Sequence, residues 1–227
     1  MKKFFCVFFA ILLYVSAEEA TDTDEIKKIY EEQNLIRKKG GQYISFGLGT
    51  SVLRLKQEIH GKKNTYVPVL FVFKAGSQTF FTKGVGIRGY FEFDTYSENL
   101  NYGFKRPPTT SFFGFFSVGI DLLTEFPITP NQKNFLGAFF GIGLGASIFT
   151  DNIHYKFFKN SFVSAGFIAE VGVDLTINIK HRISIGVKTT PVQKSWSRSV
   201  AEETDFLLFM NYQYKFDTNI FARKSKK

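Results

Sequence analysis

Cysteine is almost absent from this chain of 227 residues; the only one is Cys6. It lies inside the apolar run 4–15, which follows Lys2 and Lys3 and leads into the small-residue site Val15-Ser16-Ala17. This pattern predicts a secretory signal peptide over residues 1–17, too short to span a bilayer as a helix. A retained anchor is the competing reading. A lipoprotein reading of Cys6 would need the cysteine at the end of the run rather than within it. Once the leader is removed, the exported chain has no disulfide and needs another source of stability, which a closed sheet can supply. No later apolar run is long enough for a membrane helix. Histidine is scarce as well: His60, His154 and His181 fall in separate segments. No His, Cys or carboxylate cluster has metal-ligand spacing, so neither a metal nor a cofactor is expected. A lipid-hydrolase pairing of His154 with Ser147 or Ser161 is conceivable, but nothing in the spacing supports it, and no catalytic residue is assigned. The single Trp196 lies near Lys194 and Arg198. That placement suits an interfacial anchor, or contact with headgroups or a glycan.

Phenylalanine, by contrast, is abundant: 29 residues against 10 Tyr. Along Gly84–Tyr96 apolar and charged residues take opposite parities. Val85, Ile87, Phe91 and Phe93 alternate with Arg88, Tyr90, Glu92 and Asp94. A strand turns successive side chains to opposite faces, so this segment has one oily and one charged side. Mean hydropathy near zero would suggest a soluble protein, but alternation hides membrane strands from any average.

The same period recurs along the chain. Residues 21–39 form the only helix-like stretch, with acids early, bases late and Gly40-Gly41 to end it. A short helix and an unstructured leader both fit it. Strands are then expected at about 42–55, 65–75, 84–96, 111–123, 134–149, 161–179, 182–190 and 204–216. Pro68 weakens the second of these. Five of the six prolines fall in the connections. Longer connections (57–64, 98–110, 151–160, 191–203) alternate with generally shorter ones (76–83, 124–133, 180–181). The expected fold is all-β: an eight-stranded antiparallel transmembrane β-barrel with a short N-terminal periplasmic helix, both termini on the side of the shorter turns.

An eight-stranded barrel has an interior just wide enough for side chains to fill it. The residues placed inside are Arg88, Glu92, Asp94, Asp121, Glu170, Asp174, Arg182, Lys188 and Lys215. Mixed signs suggest a salt-bridged plug, since charges out of bulk water need partners; a narrow ion path is the alternative. Inward glycines around 137–145 would make room for large neighbours. The GIGLGAS run at 141–147 looks like a nucleotide-binding turn, yet the alternation continues through it and no helix follows. The formal charge of +9 falls to +7 without Lys2 and Lys3, and Arg223, Lys224, Lys226 and Lys227 supply four of those charges. Nucleic-acid binding does not fit an exported chain of this pattern.

From about Thr79 the sequence resembles the Helicobacter-type outer-membrane proteins, the Hop/Hor-like group of epsilonproteobacteria. The matching stretches are FFTKGVGIRGYFEFDTY (80–96), GIDLLTEF (119–126), FLGAFFGIGLG (135–145), VSAGFIAEVGVDLTINIKHRISIGVKTTPV (163–192) and FLLFMNYQYKF (206–216). The resemblance implies a mostly C-terminal eight-stranded barrel in the outer membrane of a Gram-negative bacterium. Larger members insert a long, often disulfide-bonded extracellular receptor-binding domain, for which this chain has no room and, once the leader is removed, no cysteine. Members commonly end at a terminal aromatic assembly signal; here the alternation ends at Phe216. The expected organisation is signal peptide 1–17, partly helical periplasmic segment 18–41, barrel 42–216 and basic tail 217–227. The expected function is a non-catalytic structural or surface-interaction barrel, with a small pore or a lipid-modifying enzyme as alternatives. Expected partners are outer-membrane lipid and lipopolysaccharide, the barrel-assembly machinery and an unidentified host or surface ligand.

Overall fold

The computed structural model describes residues 23–57, 63–100, 109–151, 162–190 and 200–216. The leader, the tail, His60, His154, Ser161 and Trp196 lie outside the described residues, as does most of the four longer expected connections at 57–64, 98–110, 151–160 and 191–203. The chain divides between Leu35 and Ile36 into two compact units. The described part of the first is the body of helix α1 (Thr23–Lys39). Its last turn belongs to the second unit and carries Arg37, Lys38 and Lys39, which suit the negative end of the helix dipole. The helix stops at Gly40, whose N–H still reaches the Ile36 carbonyl at 3.3 Å. Gly41 then adopts φ = 145°, where a Cβ would lie 2.7 Å from the Phe216 carbonyl oxygen. Only glycine turns the chain from helix into sheet there.

The second unit contains β1 (Gly41–Gln57), β2 (Lys63–Tyr66), β3 (Val69–Phe80), β4 (Val85–Leu100), β5 (Thr109–Pro127), β6 (Phe135–Asp151), β7 (Phe162–Ile177), β8 (His181–Thr189) and β9 (Val200–Lys215). Neighbours pair antiparallel in the order β2-β1-β3-β4-β5-β6-β7-β8-β9, and β1 also pairs with β9. That last ladder runs from Tyr43↔Lys215 to Gln57↔Val200, with a bulge between Ser51 and Leu53, and closes the sheet on itself. Strands β2 and β3 pair with the same edge of β1, through Leu53↔Tyr66 and Thr50↔Val69. They are one stave interrupted at Pro68, which has no N–H for the ladder. The fold is therefore a closed eight-stranded antiparallel barrel.

Several strands run further than their alternation suggested. Strand β3 continues to Phe80, through the expected turn at 76–83. Gly76, Ser77 and Gln78 look like turn residues, but ladders on both sides hold them, through Tyr43↔Gly76 and Gly76↔Tyr90. Strand β5 reaches Pro127 and β9 starts at Val200, inside the expected connections 124–133 and 191–203. The tight turn after β7 lies at 178–180, where Asn178 and Ile179 both have positive φ.

Exposure decides which face is inside. Phe167 is 86% exposed, whereas Glu92, Asp94 and Asp121 are fully buried at 0%. Phe46, Phe71, Ile120, Phe140, Ile142 and Met210 also point out. The barrel is oily outside and charged inside, the reverse of a soluble one. Inside, charges share the space with aromatic rings. Val72, Phe80, Leu123, Phe139 and Phe209 form one buried cluster, and Ile36 packs on it. Glycines give these rings room. A Cβ on Gly119 would meet the Tyr90 hydroxyl at 2.5 Å, one on Gly145 the Phe115 ring at 2.8 Å, and one on Gly172 the Phe139 ring at 2.5 Å.

Gly172→Ala would also bring a Cβ within 2.3 Å of the Ile185 carbonyl, a backbone atom that cannot swing away. Overpacking of this kind costs about 1–3 kcal/mol. The outward Gly89 has nothing within 4 Å of its absent Cβ. Gly89→Ala should therefore be neutral or stabilise by about 0.5–1 kcal/mol through strand entropy. Urea unfolding of the two refolded variants measures the contrast; equal midpoints would contradict the packing described here.

Candidate functional site

The inward face of the barrel collects twelve buried charges among the described residues. Six are cations (Lys39, Lys74, Arg88, Arg182, Lys188, Lys215) and six are carboxylates (Glu92, Asp94, Asp121, Glu125, Glu170, Asp174). All nine charges assigned to the interior from sequence are there, and none is more than 3% exposed. Sequence reasoning missed Lys74, Glu125 and Lys39. Lys74 follows from parity, since Phe71 and Phe73 on β3 point outward. Glu125 continues the parity of Asp121 but falls in the connection expected at 124–133. Lys39 comes from a helix, where no strand parity applies.

Three ion pairs lie on adjacent strands, one of them Asp174 on β7 with Arg182 on β8. Arg88 on β4 is opposite Asp121 on β5 and donates from Nε to Oδ2 at 2.6 Å. Lys74 on β3 is opposite Glu92 on β4, with 3.6 Å between Nζ and Oε2. The other links cross the lumen. Lys74 donates to both oxygens of Glu170 on β7, at 2.8 and 3.0 Å. Lys188 on β8 reaches back to β4, to Glu92 at 2.8 Å and to Asp94. Arg182 on β8 pairs with Glu125 on β5 and donates to the Gln78 side-chain oxygen at 3.1 Å. Arg88 donates to Gln213 on β9 at 3.2 Å, and Gln213 donates to Gln78 at 3.0 Å. Asp174 meets Arg182 only at 3.8 Å. The staves are thus braced from opposite walls at several levels.

At the end with the short turns, the last turn of α1 enters this network. Lys39 Nζ lies 2.5 Å from Glu125 and donates to the Lys83 carbonyl at 2.6 Å. It stands 4.0 Å from the centres of both the Phe80 and Phe135 rings, a cation–π arrangement. Burial draws its ammonium below the usual lysine pKa, and Glu125 opposes that shift. Gln78 Nε2 donates to the Lys39 carbonyl at 2.7 Å, and Lys215 Nζ to that of Gly40 at 3.4 Å. The chain itself stoppers this end of the lumen.

Of His154, Ser147 and Ser161, only Ser147 is among the described residues. Ser147 is buried in the barrel wall. His181 lies at the turn end, its Nδ1 2.7 Å from the Tyr212 hydroxyl. A groove of about 660 Å³ runs along the outer wall between Ile87, Val118, Ile120, Phe140, Ile142 and Phe167. No charged group converges on it, as befits a wall that faces hydrocarbon.

Known proteins place this architecture. A family described as Helicobacter outer membrane protein matches residues 72–216, which is 145 of the 227. Among solved structures, Neisserial surface protein A is similar at 13% identity and TM-score 0.50, covering 78% of this chain and 97% of its own. Ail, the attachment invasion locus protein of Yersinia pestis, solved with the heparin analogue sucrose octasulfate, is 18% identical. It covers 77% of this chain and 99% of its own, at TM-score 0.43. OprG of Pseudomonas aeruginosa is 13% identical at TM-score 0.42, over 78% of this chain and 96% of its own. No curated protein matches the sequence. With a family match over β3 to β9 and a closed barrel whose apolar side faces outward, the chain belongs to the Helicobacter outer membrane protein family and is an outer-membrane β-barrel.

Proposed function

We propose that this barrel is a plugged, non-catalytic protein with a structural and surface-interaction role. It would present its four longer connections outside the cell and keep both termini in the periplasm. The observation that carries this reading is the cross-braced interior. Six cations and six carboxylates balance, and their links join β3, β4, β5, β7 and β8 through the lumen. A conducting path would need room for hydrated ions where these side chains meet. The nine interior charges named from sequence, together with Lys74, Glu125 and Lys39, then hold the wall in shape. The short turns lie at the same end as the entry to β1 and the end of β9, which fits the periplasmic side of such barrels. Residues 1–17 act as the signal peptide, 18–41 as a periplasmic segment and 217–227 as a basic tail. Lipid and lipopolysaccharide surround the wall, the assembly machinery inserts it, and the ligand of the outer connections is a host or surface molecule.

Refolded protein in planar bilayers should show no conductance above the lipid background; discrete channel steps would sink the plug and favour a small pore. Lys188→Met should leave Glu92 and Asp94 buried without their shared cation. Breaking a buried pair in this way costs about 3–5 kcal/mol, read from the urea midpoint. Lys188→Met combined with Asp94→Asn should recover part of that loss. A loss below 1 kcal/mol for Lys188→Met, an order-of-magnitude limit set by exposed pairs, would mean that the ion pairs do not brace the wall.

A further inference from the structure

The outer wall of the barrel is not evenly covered. Along β4 the outward residues are Val85, Ile87, Gly89, Phe91 and Phe93, and a Cβ on Gly89 would meet nothing within 4 Å. Gly89 pairs with Ile120 on β5, and Ile120 with Ile142 on β6. Next to them Gly119 and Gly143 are ladder partners without side chains, so bare backbone forms the floor of the apolar groove. Behind that floor the inward Tyr90 lies against Gly119, where a Cβ would meet its hydroxyl at 2.5 Å. The sides are Ile87, Val118, Ile120 and Ile142, β-branched residues with stiff χ1 angles, and Phe167 stands at the β7 rim. Such walls do not fold inward to close the space.

A second hollow, of about 480 Å³, lies between the same strands nearer the short turns and is lined by Val85, Thr124, Phe126 and Gln132. Val85↔Thr124 and Ile87↔Leu122 are successive outward pairs of the β4–β5 ladder, so one step of that ladder separates the two hollows. Together they mark a seam that rises from the turn end along the wall that faces hydrocarbon. The groove, at about 660 Å³, falls within the ~300–1,000 Å³ typical of small-ligand sites.

We propose that one phospholipid lies along this β4–β5 seam, with an acyl chain in the groove and its glycerol end in the hollow at the turns. Within hydrocarbon no hydrophobic effect drives binding, so dispersion contacts decide it. A chain in the groove touches protein on three sides, whereas a chain against the open wall touches it on one. A second barrel is the poorer occupant, because two convex walls meet along a line and leave most of the groove unfilled. Phospholipid, rather than lipid A, follows from entry at the turn side, and so rests on the turns being periplasmic.

The test refolds the full-length protein into phosphatidylcholine nanodiscs, releases it into detergent and counts the retained lipids by native mass spectrometry. A single lipid per barrel should remain, at equal occupancy when phosphatidylglycerol replaces phosphatidylcholine, because the groove grips the chain and not the charge. Ile142→Trp fills the groove and should reduce occupancy to background, whereas Ile185→Trp, also outward but on β8, should leave it unchanged. No retained lipid, an equal loss in both variants, or an occupancy that follows headgroup charge overturns the proposal. A dimer that disappears in Ile142→Trp overturns it in favour of a second copy. If Ile142→Trp does not refold, the unmodified barrel still decides. Lipids with a photoreactive diazirine on the chain should label Ile87, Ile120 and Ile142 in excess of Ile183 and Ile185, and even labelling overturns the seam. Protein extracted from outer membranes separates this proposal from the orientation it rests on. Retained phospholipid supports both; lipid A in its place overturns the periplasmic turns, and an empty barrel overturns the site itself.

Discussion

A charge enclosed by a wall of hydrocarbon has no water to turn to, and that constraint organises this barrel. Every inward cation and carboxylate has to find an opposite charge within a lumen only a few side chains wide. The solution here is bracing from opposite walls: β3 to β7 through Lys74 and Glu170, β4 to β8 through Glu92, Asp94 and Lys188, and β5 to β8 through Glu125 and Arg182. Each link fixes the distance between staves that are not neighbours in the ladder. The backbone hydrogen bonds set the circumference, and the ion pairs set how the ring is filled.

The remaining interior space is shared between rings and missing side chains. Tyr90, Phe115 and Phe139 lie over Gly119, Gly145 and Gly172 of the neighbouring strands, where even a methyl group would collide. Large rings beside glycines let a narrow barrel fill itself without forcing the wall outward. The rings also receive the cations: Lys74 lies 4.0 Å from the Tyr90 ring centre, and Lys188 lies 5.2 Å from that of Phe115. Charge and aromatic packing in this protein form a single filling. At the turn end, Lys39 extends it beyond the strands and brings the end of the helix into the same network.

The two surfaces beyond the lumen follow from where each type of contact is satisfied. The outer wall is apolar because lipid replaces the core that a soluble sheet would bury. At the turn end, the carboxylate of Glu125 is held inward by Arg182 and Lys39.

Much of this was legible in the sequence, because strand parity is local. Each residue's face depends only on its neighbours along the chain, so Arg88, Glu92, Asp121 and Glu170 could be placed inside without any structure. The number of staves followed from counting alternating segments between connections. Parity could not give partners: Glu170 lies opposite Lys188 in the ladder, yet bonds to Lys74 from the far wall. It also failed where a strand passes through residues with turn chemistry, as at Gly76–Gln78, since only the ladders on both sides hold those residues extended. Lys39 lay beyond its reach altogether, being helical. The sequence by itself determined which side chains share a face, because that is set by a period of two along one strand. Only the closed tertiary structure decided which of them meet, because that depends on register summed around the whole ring.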